Sequence, residues 1–231
     1  MRTTSLILDA GGVMVRPAHF NDWNVPTEYE ALLGDHARDI PGAAWKEACR
    51  AEAPVLREDV LVHGIAEEAL LRRQFLANVA RRMGWALTES QLDALNWDFT
   101  WNPARYHWYA DVEAALAHIH KDHRIGVLSD AMPSFREFAM QRPEARYFDA
   151  MVVSTEIGAC KPDPRMYAAI CEALNVRPEE CLFVDDRECN LRGALNVGMR
   201  AAQMLRDGGD GWDGPIVHDF SEIIRLLEEE H

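Results

Sequence analysis

Five short apolar runs restrict the fold of this chain more than any other feature of the sequence. They lie at residues 5–9, 124–128, 150–153, 181–184 and 199–203. Apolar runs of this length are typical of strands that are covered on both faces, as in parallel sheets. From residue 109 onward, strand and helix patterns alternate, which is the signature of a doubly wound domain. We therefore predict an α/β fold whose core is a Rossmann-like, doubly wound parallel sheet.

Capping residues mark the predicted helices. Asp163 is a candidate N-cap, and Pro164 occupies the first helical position. One face of that helix then carries Met166, Ile170 and Leu174. Further helices are predicted over 188–197 and 220–229. The stretch RDGGDGWDG (206–214) predicts a polar, glycine-rich loop.

Residues 17–106 interrupt the alternation, because they contain no convincing strand pattern. Helical spacing links Ile65, Ala69, Leu76, Val79 and Met83, and Gly84 is a candidate C-cap. Thr88 and Gln91 have the spacing of a capping box for the next helix. We predict a core domain of residues 1–16 and 107–231 and a helical domain of residues 17–106.

Composition excludes several classes of partner. The formal net charge is −14, which argues against nucleic acid and anionic membranes as partners. No apolar run approaches the length of a membrane span. The five cysteines have no CxxC spacing, which suits a reducing cytosol. We predict a cytoplasmic monomer or homodimer that acts on a small molecule.

Polar side chains follow the predicted strands, at the edge where doubly wound sheets bind their ligands. In chain order they are Asp9, Ser129, Asp130, Lys161, Asp185 and Asp186. Three of the acids, Asp9, Asp185 and Asp186, would repel one another at a shared edge unless a cation lay between them. Mg²⁺ is the usual hard cation for such oxygen ligands. The sequence therefore predicts a magnesium site at this edge.

The order and context of these residues resemble the haloacid dehalogenase-like superfamily, most of whose members are Mg²⁺-dependent phosphatases. The stretches LILDAGGV, GACKPDPRMY and LFVDDRECNLRGALNVGM carry the resemblance. It implies that Asp9 is the nucleophile and that Ser129 and Lys161 complete the catalytic set. It also implies that residues 17–106 are the helical cap that many members insert after the first motif.

The resemblance and the chemistry together assign further roles. An aspartate can attack phosphorus and form a phosphoaspartate, which divides one difficult displacement into two easier steps. Asp9, Asp185 and Asp186 are the expected metal ligands, and the resemblance adds the backbone carbonyl of Gly11. Ser129 and Lys161 are expected to bind the phosphoryl oxygens, with Asp130 beside them. Two of these assignments stay open, because Asp130 also suits an N-cap near Pro133 and Asp186 also suits a residue that orients Lys161.

Gly11 is a departure from the family pattern. Phosphatases of the superfamily usually carry a second aspartate here, which protonates the leaving group. One hypothesis is a phosphatase whose substrates have good leaving groups or whose proton comes from another side chain. His19, Asp22, Arg105 and His107 are the candidate proton donors. The alternative hypotheses are a 2-haloacid dehalogenase and a catalytically degenerate binding protein. We expect a Mg²⁺-dependent hydrolase of small-metabolite phosphate monoesters.

Overall fold

The computed structural model describes residues 3–56, 59–208 and 211–229. Residues 209–210 of the predicted loop at 206–214, and the first and last two residues of the predicted core, lie outside this description. The strands are β1 (Ser5–Leu8), β2 (Val15–Pro17), β3 (Tyr106–Trp108), β4 (Arg124–Ser129), β5 (Ala150–Val153), β6 (Cys181–Asp185), β7 (Arg200–Met204) and β8 (Ile216–Val217). The α-helices are α1 (Tyr29–Leu33), α2 (Ala43–Glu52), α3 (Ile65–Met83), α4 (Glu89–Trp101), α5 (Val112–Ile119), α6 (Pro133–Met140), α7 (Ser154–Ile157), α8 (Pro164–Leu174), α9 (Glu188–Asn196) and α10 (Phe220–Glu228).

Six strands form one sheet in the order β5-β4-β1-β6-β7-β8, and the pairs with a described register are parallel. The predicted α/β, Rossmann-like fold is confirmed. The first strand lies in the middle, where Leu8 is level with Val127 of β4 and with Val184 of β6. Leu6, Ile7 and Leu8 are fully buried, because helices flank the sheet. This arrangement explains why the strand has no polar alternation.

The chain divides into two compact units. One consists of Met1–Arg16, Glu58–Leu61 and Trp108–His231, and the other of Pro17–Arg57 and Val62–His107. In the first unit, Asp163 caps α8 by accepting a hydrogen bond from the amide of Arg165, as the sequence predicts. The division follows the interruption in the strand–helix alternation, since the second unit holds helices α1 to α4.

The second unit is helical and has its own apolar interior. Helix α3 packs against α2 and α4, and the rings of Trp45 and Trp85 stack with centroids 5.6 Å apart. The predicted C-cap Gly84 adopts the left-handed conformation at φ +71°. The predicted capping box is present, because Thr88 and Gln91 each accept a hydrogen bond from the other's backbone amide. That this unit acts as a cap over an active site stays a prediction.

Three short strands have no counterpart in the sequence prediction. Strands β2 and β3 have three residues each and form a separate two-stranded sheet, and β8 has two residues at the sheet edge. Runs this short carry too few positions for a periodic pattern. Among the described residues, none of the helices combines the length and apolar character that a membrane span requires.

Candidate active site

Two aspartates meet at the carboxyl ends of neighbouring strands. Asp9 follows β1 directly, and its amide donates a hydrogen bond to the carbonyl of Val184 at 2.9 Å. Asp185 is the last residue of β6. Because Leu8 and Val184 are in register, the next residue on each strand lies at the same level of the sheet. The strand pairing therefore brings together two acids that are far apart in the sequence.

The ammonium group of Lys161 joins these acids. Its Nζ lies 2.7 Å from Oδ1 of Asp9 and 2.8 Å from Oδ2 of Asp185. A third hydrogen bond, of 3.0 Å, goes to the carbonyl of Leu128 on β4. The Lys161 side chain is only 1% exposed, so all three donors of the ammonium are used inside the protein.

A third acid, Asp186, completes the group. One carboxylate oxygen from each of Asp9, Asp185 and Asp186 lies within 4.8 Å of the other two. Gly12 leaves room for the Asp186 side chain, because a Cβ atom on Gly12 would lie 2.6 Å from Oδ2 of Asp186. Gly12 also has a φ of +73°, which favours glycine. The chain therefore turns sharply at Gly12.

The electrostatics of the site follow from two buried acids, Asp9 and Asp185, and a more exposed one, Asp186, beside one cation. Burial raises the pKa of Asp9 to about 8; Lys161 opposes this rise, while Asp185 adds to it. Burial and Asp185 also raise the pKa of Asp186 to about 6. Burial disfavours the charged form of Lys161, but Asp9 and Asp185 outweigh it and raise the pKa of the lysine. The lysine therefore stays protonated, and the site has a surplus of negative charge.

A network that the sequence analysis missed holds the acidic pair. The side-chain amide of Asn190 donates to both carboxylate oxygens of Asp185, at 3.1 and 3.0 Å. The amide of Arg187 donates to Oδ1 of Asp185 at 2.8 Å, and Gln203 donates to the carbonyl of Asp186 at 2.9 Å. The signal for Asn190 was its position one helical turn after the acidic pair.

Ser129 and Asp130 are consecutive residues at the carboxyl end of β4. Ser129 is the last residue of β4 and is buried, so its position at the sheet edge is as predicted. The N-cap interpretation of Asp130 is wrong, because Met132 precedes α6 and no side chain caps that helix. Asp130 instead accepts a hydrogen bond from the backbone amide of Lys161 at 2.9 Å. It thus fixes the lysine segment, and burial raises its pKa.

Lys161 is oriented by Asp9 and Asp185, which leaves Asp186 suited to the other interpretation, that of a ligand. Carboxylate oxygens are the donors that Mg²⁺ prefers, and a divalent cation would offset the surplus negative charge. The three acids therefore form a donor set that fits a magnesium ion on chemical grounds.

Arg105, one of the candidate proton donors, is committed to the interior of the second unit. Its guanidinium is buried and donates to the carboxylate of Asp98 and to the carbonyls of Trp23 and Val25. It also lies over the ring of Phe99, 4.0 Å from the centroid. These contacts stabilise the loop that precedes α1 and explain the residue structurally.

A family model described as haloacid dehalogenase-like hydrolase matches residues 7–198. The chain belongs to the haloacid dehalogenase-like hydrolase family. The match includes Asp9, Lys161, the acidic pair and Asn190, whereas Gln203 lies beyond it. Because the family's model extends over most of the chain, the resemblance that the sequence motifs indicate is confirmed.

Two curated relatives of this hydrolase are phosphatases by name. Phosphatase MT3486 of Mycobacterium tuberculosis is 45% identical over 80 residues, which is 35% of this chain and 36% of the relative. N-acylneuraminate-9-phosphatase of Rattus norvegicus is 33% identical over 104 residues, which is 43% of this chain and 41% of the relative. The matched stretches thus span well under half of either relative.

A solved structure matches the hydrolase over its full length. The 2-haloacid dehalogenase from Pseudomonas syringae pv. Tomato DC3000 superposes with a TM-score of 0.67, over 99% of this chain and 100% of that chain. Its sequence identity is 19%, so the likeness concerns the fold.

Proposed function

We propose that this protein is a Mg²⁺-dependent hydrolase of small-metabolite phosphate monoesters and that Asp9 is its nucleophile. The observation that carries the proposal is the position of Lys161 between Asp9 and Asp185, with the Asp186 carboxylate within 4.8 Å. A phosphoryl group is an anion, and attack by a carboxylate on it requires positive charge nearby. This cluster supplies one fixed cation and the ligands for a second.

The proposed reaction has two displacements on phosphorus. In the first, a carboxylate oxygen of Asp9 forms a bond to phosphorus, the ester P–O bond breaks, and the leaving oxygen departs with the bonding electrons and takes a proton from water. In the second, water attacks phosphorus, the Asp9 carboxylate is restored, and inorganic phosphate leaves. Lys161 holds the attacking carboxylate in place and offsets charge on the phosphoryl oxygens, and Ser129 offers a hydroxyl at the same edge. A bound Mg²⁺ would add electrophilic stabilisation of those oxygens.

The names of the two curated relatives support a phosphatase, although each match covers only part of the relative. The alternative is a 2-haloacid dehalogenase, which would use the same aspartate nucleophile. The solved structure that carries this name has a similar fold. The acidic pair favours the phosphatase, because displacement of a halide needs no metal ligands. We therefore assign Asp185 and Asp186 to metal binding, together with Asp9 and the carbonyl of Gly11.

The glycine at position 11 points to a class of substrate. A positioned general acid is typically worth roughly 10²–10⁴ in rate, and its absence matters least for groups that leave without a proton. We propose substrates with good leaving groups, such as acyl phosphates or anomeric sugar phosphates. We further propose a cytoplasmic monomer or homodimer whose helical unit acts as a cap and restricts access to small molecules.

The decisive experiment is a metabolite-phosphate panel with and without MgCl₂, on the wild type, Asp9→Asn and the control Asp213→Asn. Asp213 is exposed and pairs with Arg192, so its loss should leave phosphate release intact. Asp9→Asn should lose at least about a thousandfold in kcat, as expected for a nucleophile. Phosphate release that survives Asp9→Asn would remove the proposed nucleophile.

Two further measurements separate the alternatives. Chloride release from 2-chloropropionate without added metal would support the dehalogenase. Inactivity on both panels, with thermal stabilisation by one metabolite, would support a binding protein. Among aryl phosphates, a steep dependence of kcat on leaving-group pKa supports the lack of a general acid, whereas a flat dependence contradicts it.

A further inference from the structure

The turn that follows Asp9 is stabilised by hydrogen bonds within its own backbone and by one side chain from elsewhere in the fold. Within residues 10–15, the amides of Met14 and Val15 both donate to the carbonyl of Ala10 at 2.9 Å. The amide of Gly12 donates to the carbonyl of Val15, also at 2.9 Å. The carbonyl of Val13 accepts two hydrogen bonds from the guanidinium of Arg206, at 2.7 and 3.2 Å. This contact joins the first motif to a residue beyond the family match.

The guanidinium of Arg206 also contacts an acid and an aromatic ring. Its Nη1 donates to both carboxylate oxygens of Asp111, at 2.9 and 2.8 Å. The guanidinium lies 4.0 Å from the ring centroid of Tyr109, and the side chain is 10% exposed. A planar, rigid fork is the group best suited to hold a carbonyl and a carboxylate together.

A residue that contacts Arg206 forms a second hydrogen bond to the same turn. The amide of Tyr109 donates to the carbonyl of Met14 at 3.0 Å. Asp111 also accepts a hydrogen bond from the amide of Phe220, at the start of α10. The carbonyls of Val13 and Met14 therefore accept hydrogen bonds from Arg206 and Tyr109. Asp111 binds both Arg206 and the first residue of α10.

The position of this turn matters to the site because Gly12 packs against the Asp186 carboxylate. The space there does not admit even one additional carbon. A displaced turn would move Gly12 relative to Asp186 and Gly11 relative to Asp9. We propose that Arg206 is a positioning residue that fixes the turn at 10–15 against the acidic cluster. The kinetic part of this inference rests on the function proposed above.

The test compares Arg206→Met and Arg206→Lys with the control Arg192→Met. Arg192 is also paired with acids in the same unit, Glu188 and Asp213, but it is half exposed and bonds to no part of the turn. Arg206→Met should lower kcat by roughly 10–100-fold, as expected for misplacement of reacting groups, with little change in KM. Arg206→Lys should recover little, because a single ammonium cannot reproduce the fork. Arg192→Met should match the wild type.

Amide hydrogen exchange provides a readout that is independent of activity. In Arg206→Met, the amides of Gly12, Met14 and Val15 should exchange at least about tenfold faster, with those of β1 unchanged. Uniform acceleration throughout the protein, or none in the turn, would overturn the inference. If Arg206→Met does not fold, Asp111→Asn loosens the same guanidinium and takes its place in both measurements. If the wild type shows no phosphatase activity, the proposed function fails, and hydrogen exchange still decides whether Arg206 holds the turn.

Discussion

Gly12 lies so close to Asp186 that a Cβ atom on the glycine would be 2.6 Å from the carboxylate oxygen Oδ2. Gly84 has nearly the same φ, +71° against +73°, but faces open space. Both glycines have a positive φ, but only Gly12 is in contact with the site.

For this pair, we expect Gly84→Ala to cost about 1–2 kcal/mol in unfolding free energy, from the left-handed backbone alone. Gly12→Ala should cost more, because Asp186 must move, and should reduce kcat at least about tenfold. Urea unfolding and steady-state kinetics would measure the two effects. Equal losses of stability for both variants, with kcat unchanged, would contradict this account of Gly12.

Asn190 is the only described side-chain donor to both oxygens of Asp185. We expect Asn190→Ala to lower Mg²⁺ affinity or kcat by roughly 10–100-fold, as is usual when a partner of a metal ligand is lost. A magnesium titration of the activity would measure this change. Asn78→Ala, which removes a partly buried contact to Glu52 in the other unit, is the control and should leave the titration unchanged.

Lys161→Met removes the cation between two buried carboxylates. Breaking a buried ion pair costs roughly 3–5 kcal/mol, because the remaining charges lose their partner. We expect a lower melting temperature and no measurable phosphate release. Lys121→Met removes an exposed lysine near α5 and should leave both properties unchanged. A Lys161→Met protein as stable as the wild type at neutral pH would show that the carboxylates are neutralised by another route.

The stability of the metal-free protein should fall as the pH rises from about 4 to about 8. The folded state holds its protons more tightly than the unfolded chain, since the pKa of Asp9 is about 8 and unfolded aspartate titrates near ~3.9. Folding is therefore favoured by protonation across this interval and loses that contribution as the pH increases. Thermal unfolding in EDTA at several pH values would measure the trend.

MgCl₂ should raise the melting temperature more at pH 8 than at pH 5, because the cation competes with protons for the same oxygens. Asp186→Asn should reduce this difference, since it removes one ligand of the proposed set. An equal magnesium effect at both pH values would contradict the assignment of the acidic cluster to metal binding.

The strands of the core were predictable because of how they are buried. Strands β1, β4 and β6 are apolar on both faces, and their predicted bounds differ from the observed ones by one residue. The site followed from the same pattern, because a parallel sheet places the residue after each strand at one edge. The parallel pairing of β1 with β6 brings Asp9 and Asp185 together, whereas Lys161 reaches them from the segment between α7 and α8.

The contacts that support the site were not predictable in the same way. Arg206 donates to the carbonyl of Val13, although the two residues are far apart in the sequence. Asp130 has the sequence context of a helix cap, yet its carboxylate binds the backbone of Lys161. Such contacts depend on the path of loops, which the periodicity of strands and helices does not specify.

The central place of β1 in the sheet has a consequence for biosynthesis. A ribosome makes this strand first, but its two neighbours, β4 and β6, are made only after Arg124 and Cys181 have been added. Until then both edges of this strand, which carries Leu6, Ile7 and Leu8, lack their native pairing, and unpaired apolar strands tend to associate with other nascent chains. We expect truncated chains that stop before β6 to aggregate and to depend on chaperones, whereas the finished polypeptide encloses its oldest strand.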